Sequence, residues 1–258
     1  MDLPAVLIGC LVGCIVAATG IGGGVLLMPL LIIVLRVPPI AAVGTALLFM
    51  SGTKLWAVAL HWRQHTVDFR LAGQLSLGSI PGAFAGAAAL SALHARMGDG
   101  VNSFLRTAIG ILLIAIPLLS IGLDALKRGQ PSAFGDSALS QTRPEWKRAA
   151  CIGLAGGFLV SATSVGSGSL IILLLLIWCR RPPVVLVGTD IFHAMILTAV
   201  ATLIHLRMNP VNFAMAGQLL VGSLVGVAVG TRLSADMAPA WLRRTLLILA
   251  ATGGLAML

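Results

Sequence analysis

The sequence predicts an all-α polytopic membrane protein, and three observations support this fold class. Hydrophobic residues make up 58% of the 258 positions and charged residues only 10%, whereas a soluble domain carries about 25% charged residues. The mean hydropathy is +1.03. Long windows such as 105–123 and 184–206 contain a single charged residue each, and a membrane span needs about 20 apolar residues. Together these observations exclude a soluble enzyme, a nucleic-acid-binding domain and a single-anchor protein.

The net charge of +9 does not indicate nucleic-acid binding, because the basic residues stand at the ends of apolar segments. That placement is typical of loops that flank membrane spans. The predicted partners are the lipid bilayer and, from the site described below, a small anionic substrate, and no nucleic acid.

The chain aligns with itself without gaps at an offset of 144 residues, as from position 38 to position 182. The identical pairs include prolines, a glutamine and a His-x-Arg pattern, which apolar composition alone does not produce. We therefore predict a duplication, with a first transmembrane repeat at 1–123, a cytoplasmic linker loop at 124–147 and a second transmembrane repeat at 148–258. The matched sets include Pro38-Pro39 with Pro182-Pro183, Gly44-Thr45 with Gly188-Thr189, His61 and Arg63 with His205 and Arg207, and Ala72-Gly73-Gln74-Leu75 with Ala216-Gly217-Gln218-Leu219.

Ten apolar segments, five in each repeat, are predicted to be helical. They are 3–19, 25–36, 40–60, 71–93 and 104–123 in the first repeat, and 148–163, 170–179, 184–206, 213–235 and 241–258 in the second. A single helix over 3–36 would be about 51 Å long, which exceeds the ~30 Å hydrocarbon core. Glycine-rich peptides are therefore expected to interrupt the chain at residues 20–24, the first break, and at residues 164–169, the second break. Each broken pair of segments is either a re-entrant hairpin or two broken helices.

Charge counting predicts the topology. With five segments per repeat the second repeat is inverted, and twelve Lys and Arg residues then lie on one membrane face against four on the other. Four spans per repeat would instead divide them eight against eight. Because cytoplasmic loops are enriched in Lys and Arg, we predict inverted repeats with both termini outside the cytoplasm. Inverted repeats are typical of secondary transporters.

If the repeats are inverted, the two breaks point toward each other from opposite membrane faces. They are then expected to meet near the membrane midplane. The helices that follow them begin there with free backbone N–H groups and positive dipole ends, and irregular backbone at that depth lines a cavity or is buried in protein. This predicts a site for a small anion, with close packing of small residues as the alternative interpretation. The residues predicted to bind the substrate are Thr19, Gly20, Ile21, Gly22, Gly23, Gly24 and Val25 at the first break, and Thr163, Ser164, Val165, Gly166, Ser167, Gly168 and Ser169 at the second.

Lys54, Asp190 and His193 lie well inside apolar segments, where a charge is costly and marks a functional site by default. Lys54 lies within 40–60, while Asp190 and His193 share one helix face within 184–206. The functional interpretation is that Lys54 attracts the anion and that Asp190 and His193 carry proton coupling. The alternative is a structural Lys54–Asp190 ion pair between the repeats. Neither a metal nor a cofactor is predicted.

Two other functions stay open at this point. Ser167 and His193 would form the Ser–His dyad of an intramembrane serine hydrolase, although Ser167 aligns with Gly23 and no third group is seen to orient the histidine. An anion channel is the other alternative, but inverted symmetry favours a carrier with alternating access. The oligomeric state, monomer or homodimer, stays open as well.

The run Gly20-Ile-Gly-Gly-Gly-Val-Leu-Leu-Met-Pro29, followed by Pro38 and Ala42-Val-Gly-Thr45, resembles the sulfite exporter TauE/SafE family of bacterial membrane permeases. The run 153–169 with Val187-Gly-Thr189 resembles the repeated motif of that family, and the likeness covers essentially the whole chain. The resemblance implies a permease of the bacterial cell inner membrane that moves a small sulfur-containing anion, such as sulfite or an organosulfonate. The second repeat departs from the motif, because it reads Gly-Ser-Gly-Ser and has Leu173 in place of a proline. The residues that the resemblance implicates are Gly20, Gly22, Gly23, Gly24, Pro29, Gly166, Gly168 and Thr189, with Thr45 as the counterpart of Thr189.

Overall fold

The computed structural model describes residues 3–19, 23–62, 67–127, 146–179, 183–233 and 239–258. All regular secondary structure in these ranges is helical, so the predicted all-α fold class is confirmed. The linker loop falls almost wholly outside the described residues. The helices are α1 (Leu3–Thr19), α2 (Gly24–Pro29) with a following π-helical turn (Leu30–Val34), α3 (Pro39–Trp62), α4 (Phe69–Met97), α5 (Gly100–Lys127), α6 (Trp146–Thr163), α7 (Leu170–Trp178), α8 (Pro183–Met208), α9 (Phe213–Leu233) and α10 (Pro239–Leu255).

Each of the ten predicted segments corresponds to one helix, and the largest differences lie at polar ends. Helix α5 begins at Gly100 and ends at Lys127, several residues beyond the apolar window that predicted it. Helix α4 begins earlier than predicted because the Asp68 side chain accepts hydrogen bonds from the backbone N–H groups of Arg70 and Leu71 at 3.1 Å. A capping carboxylate of this kind stabilises a helix start outside the apolar core.

The helices carry the surface of a membrane protein. Among the described residues, four helices are long and apolar enough to cross a membrane, namely Phe69–Met97, Gly100–Gly122, Val185–Met208 and Phe213–Gly230. Large apolar side chains point outward, as at Leu77 and Leu203, which are 68% and 65% exposed. The interior in turn buries a lysine, an aspartate and two histidines. An apolar exterior around polar interior groups is the arrangement that a bilayer requires.

Glycines bring α1 against α9. A Cβ atom at Gly9 would overlap the Leu219 carbonyl oxygen, and one at Gly226 would overlap the Cys10 carbonyl oxygen. Gly13, Gly222 and Gly230 are in similar contact with backbone atoms of the opposite helix. Only glycine permits two helices to approach this closely.

Helices α4 and α6 form a second pair of the same kind, at positions that differ from the first by 144. Gly153 lies against the Leu75 carbonyl oxygen as Gly9 lies against that of Leu219, and Gly82 lies against Leu154 as Gly226 lies against Cys10. Each pair joins one helix of the first predicted repeat to one of the second. Helix α3 also packs on its counterpart α8, and α5 packs on α10. The inverted orientation of the repeats stays a prediction.

Candidate functional site

Helices end and begin on either side of both predicted breaks, and the described residues of the two breaks are in contact. Helix α1 ends at Thr19 and α2 begins at Gly24, while α6 ends at Thr163 and α7 begins at Leu170. Gly24 lies so close to the Ser164 carbonyl oxygen that a Cβ atom there would overlap it. Of the predicted first-break residues, 20–22 and the side chain of Thr19 lie outside the described part of the chain. Gly23, Gly24 and Val25 are described and buried.

The second break is buried and has irregular backbone. Ser164 has a φ of 59°, Gly166 a φ of 99° and Gly168 a φ of 150°, all in a region that favours glycine. A non-glycine residue held there costs about 1–3 kcal/mol and is characteristic of functional sites. The Thr163 hydroxyl donates to the Leu159 carbonyl at 2.7 Å and accepts from the Val165 N–H at 3.3 Å. Residues 163–169 are all buried.

Lys54 joins α3 to the second break. Its ammonium group donates to the Ser167 carbonyl oxygen and, at 3.1 Å, to the Ser167 hydroxyl, and the side chain is only 5% exposed. The sulfur of Met50, one turn earlier on α3, lies 3.8 Å from the same hydroxyl. A small cavity opens beside this contact. Its lining residues are Val16, Gly23, Phe49, Met50, Thr53 and Lys54.

Asp190 and His193 are buried on α8, with 2% and 0% of their surfaces exposed. Asp190 and Lys54 interact through their charges, but the Lys54 ammonium donates to Ser167 and the two residues form no direct ion pair. Asp190 Oδ1 has no hydrogen-bond partner among the described residues. The arrangement therefore differs from a closed structural ion pair, because the lysine holds the break while one carboxylate oxygen is left unpaired.

His193 is hydrogen-bonded to Ser79 and not, as the hydrolase hypothesis would require, to Ser167. Its Nε2 atom lies 2.8 Å from the Ser79 hydroxyl on α4, whereas the Ser167 hydroxyl contacts Lys54 and Met50. The described contacts thus include no Ser167–His193 hydrogen bond. A serine nucleophile needs a base within hydrogen-bond reach, so this geometry gives no support to catalysis.

Thr45 and Thr189 occupy equivalent positions at helix junctions. The Thr45 hydroxyl donates to the Ala41 carbonyl at 2.7 Å and accepts from the Asn212 N–H at 3.1 Å. The Thr189 hydroxyl donates to the Val185 carbonyl at 2.6 Å and accepts from the Asp68 N–H at 2.9 Å. Asp68 and Asn212 each accept from an N–H of the following helix. Both hydroxyls thus connect a central helix to the start of a helix from the other repeat, and their predicted role toward substrate stays a prediction.

Several buried polar atoms of the predicted site have no hydrogen-bond partner within the described residues. They are Ser164 Oγ, Ser169 Oγ, Asp190 Oδ1 and His193 Nδ1. Because buried polar groups are nearly always paired in folded proteins, these atoms are the ones available to a bound ion or to water.

Sequence reasoning missed three residues that the fold brings into or beside this site: Met50, Ser79 and His205. His205 is fully buried, and its Nε2 lies 2.8 Å from the Ser161 carbonyl oxygen on α6, so that this nitrogen is the N–H donor. A signal was available for Ser79, because the Gly-Ser pair at 78–79 recurs at 222–223. Met50 carried no signal, since a methionine in an apolar segment is ordinary.

Comparison with known proteins gives a consistent result. Residues 5–257 match the family model described as "Sulfite exporter TauE/SafE". The chain is 37% identical over 246 residues to the probable membrane transporter protein YjnA of Bacillus subtilis (strain 168), covering 93% of this chain and 92% of that protein. It is 28% identical over 232 residues to a probable membrane transporter protein of Xylella fastidiosa (strain Temecula1 / ATCC 700964), covering 88% and 82% of the two chains. No solved structure matches. These names indicate a multi-pass membrane transporter rather than an enzyme.

Proposed function

The chain belongs to the sulfite exporter TauE/SafE family, and we propose that it is a secondary transporter of a small anion. The substrate we propose is a sulfur oxyanion or an organosulfonate, moved across the bacterial inner membrane by alternating access. The anion binds where the two breaks meet, and Asp190 and His193 couple its movement to protons.

The observation that carries this proposal is the convergence of three elements at one buried place. Gly24 of the first break contacts the Ser164 carbonyl of the second, and the Lys54 ammonium contacts Ser167. A cation held by neutral oxygen atoms retains most of its attraction for an anion, since no carboxylate neutralises it directly. Backbone N–H groups and hydroxyls of the breaks supply further donors suited to a compact oxyanion.

Charge balance supports proton coupling. Among the described residues, the buried set contains one basic side chain besides the histidines, Lys54, and one acidic side chain, Asp190, whose charges balance when both are ionised. A substrate anion that enters adds a negative charge to a site of low dielectric constant, where an unbalanced charge is costly. Uptake of a proton by Asp190 or His193 restores the balance. Anion and proton are therefore expected to enter together.

The decisive experiment is transport by the purified chain in proteoliposomes. Uptake of sulfite, sulfate, thiosulfate and methanesulfonate is measured with and without an imposed pH gradient, with empty liposomes as control. We expect saturable uptake of at least one of these anions that the pH gradient accelerates. Absence of uptake for all four would contradict the proposed substrate class. Ion currents far above carrier turnover would show that the protein is a channel and not a carrier.

The topology that we propose places both termini in the periplasm and the 124–147 loop in the cytoplasm. A single cysteine at Gln130 or Ser137 in a cysteine-free variant is expected to react with an impermeant maleimide only after the cells are permeabilised. Labelling in intact cells would place the loop outside the cytoplasm and contradict the proposed topology.

A further inference from the structure

The hydrogen bond between His193 and Ser79 links α8 to α4 in the protein interior. Nε2 and Oγ lie 2.8 Å apart, and both side chains are completely buried. A neutral histidine either donates or accepts through Nε2, whereas a protonated histidine only donates. Protonation of His193 therefore forces the Ser79 oxygen to accept and its hydroxyl hydrogen to turn to another acceptor. Protonated His193 thus allows only this direction of the bond, whereas neutral His193 allows both.

Ser79 also lies at the closest approach of α4 and α6. A Cβ atom at Gly157 would overlap the Ser79 carbonyl oxygen, and one at Gly153 would lie 3.0 Å from the Ser79 nitrogen. Helix α6 runs on from Gly157 to Thr163, about 9 Å further at 1.5 Å per residue, and the second break follows directly. Since closely packed backbones move together, a displacement of Ser79 is passed to the helix that holds the second break.

The repeat-related place has the same packing without the titratable group. Ser223 lies against α1, where a Cβ atom at Gly13 would be 2.8 Å from its Cα. Phe49 stands at the position that corresponds to His193. The Ser223 hydroxyl instead donates to the Leu220 carbonyl at 2.8 Å and lies 3.4 Å from the Thr53 hydroxyl. Among the described residues, the serine of α4–α6 is thus bonded to a histidine, a side chain that can take up a proton, whereas the serine of α1–α9 is not.

The groups around His193 make its charge depend on the site. Lys54 on α3 acts on His193 electrostatically, and Asp190 lies three residues earlier on α8. Helix α4 presents the neutral Ser79 hydroxyl, while His205, further along α8, is bonded to the Ser161 carbonyl on α6. Burial opposes a proton on His193 most strongly, and the charge of Lys54 opposes it further. An anion that neutralises Lys54 removes the second of these contributions.

We propose that Ser79 is a positioning residue that transmits the protonation of His193 to the α4–α6 pair and so to the second break. This inference rests on the transport function proposed above. It assigns proton coupling to the α4–α6 pair rather than to the α1–α9 pair.

The first test measures a distance rather than transport, with and without methanesulfonate, because an anion beside Lys54 favours the proton on His193. Spin labels at Leu77 on α4 and Leu203 on α8, both exposed, report the distance between the helices in a variant without native cysteines, at pH 8 and pH 5.5. We expect a pH-dependent shift that Ser79→Ala removes and that the matched control Ser223→Ala retains. His193→Gln, which keeps a hydrogen-bonding side chain but does not titrate, is expected to remove it too. A parent protein without a shift, or an equal shift in Ser79→Ala or His193→Gln, would overturn the proposal.

The second test measures transport with labelled methanesulfonate, which stays ionised over this pH range. Acidification is expected to accelerate uptake by the parent protein and by Ser223→Ala, and Ser79→Ala is expected to reduce this acceleration by about five-fold or more. Equal acceleration in Ser79→Ala would refute the role of Ser79. If the parent protein transports none of the probe anions, the proposed function fails, while the distance measurement still decides whether Ser79 transmits protonation.

Discussion

The two halves of the chain share their packing contacts and differ in their chemistry. The glycine contacts of α1–α9 recur in α4–α6, and Thr45 and Thr189 make the same pair of hydrogen bonds. The ionisable groups do not recur, since Lys54 corresponds to Thr198, Asp190 to Ala46 and His193 to Phe49. The predicted duplication accounts for the shared packing contacts, whereas each ionisable group of the proposed site occurs in one half and has no ionisable counterpart in the other.

The two breaks, like the two halves, share a position in the repeat but differ in their chemical groups. The first reads Gly-Ile-Gly-Gly-Gly, and its described part offers backbone groups alone. The second carries serine hydroxyls and three residues with positive φ angles, and it receives Lys54 from the first repeat. The first break thus provides a close backbone approach, and the second provides the polar groups of the proposed site.

The largest expected effect comes from closing the contact between the breaks. Gly24→Ala places a methyl group against the Ser164 carbonyl oxygen and is expected to lower the uptake rate about 100-fold, as a displacement of about 1 Å at a reacting site does. Gly73→Ala is the matched control, because a Cβ atom there meets nothing within 4 Å. Normal uptake by Gly24→Ala would contradict the placement of the substrate.

A smaller loss, in affinity for the anion, is expected when Lys54 is replaced, since this lysine has no ionisable counterpart in the other half. Lys54→Met is expected to raise the anion concentration for half-maximal uptake about ten-fold or more, since a hydrogen bond to a charged group contributes about 1.5–3 kcal/mol. Thr198→Val at the repeat-related position serves as control and is expected to leave this concentration unchanged. An unchanged value for Lys54→Met would assign the lysine a structural role only.

Asp190→Asn is expected to affect coupling and not binding. The variant keeps the size of the side chain but cannot take up a proton, so binding of the anion should persist while the pH gradient no longer drives uptake. Binding of the anion is measured by calorimetry. The effect of the pH gradient is measured as the uptake rate at two different gradients. If Asp190→Asn and His193→Ala both keep the pH dependence of the parent protein, these residues are structural.

The smallest expected effect concerns the shared scaffold and should be equal in the two halves. Gly82→Ala and Gly226→Ala each push a methyl group against a carbonyl oxygen of the paired helix, which costs about 1–3 kcal/mol in a closely packed interior. Both are expected to lower the thermal unfolding midpoint in detergent by similar amounts, whereas Gly217→Ala, in open space, is expected to leave it unchanged. Clearly unequal losses would show that the two pairs are not equivalent.

The sequence was informative about local structure and less so about partners. Apolar windows located every helix, and helix length together with glycine content located both breaks, because these properties depend on the chain near each position. The glycines spaced by four at 78, 82 and 86 do not indicate against which helix they pack. The bond between Ser79 and His193 depends on tertiary structure, since the two residues are 114 positions apart. For Thr45 and Thr189 the repeat indicated equivalence, yet only the fold brings their hydroxyls to the starts of α9 and α4.

The measurement that tests the central claim most directly is the position of a bound anion. Crystals grown with selenite, whose selenium atom scatters anomalously and which is shaped like sulfite, would locate it without bias. We expect one anomalous peak between the breaks, within hydrogen-bond distance of Lys54 or Ser167 and in contact with Gly24. A peak elsewhere in the transmembrane region, with none between the breaks, would contradict the account.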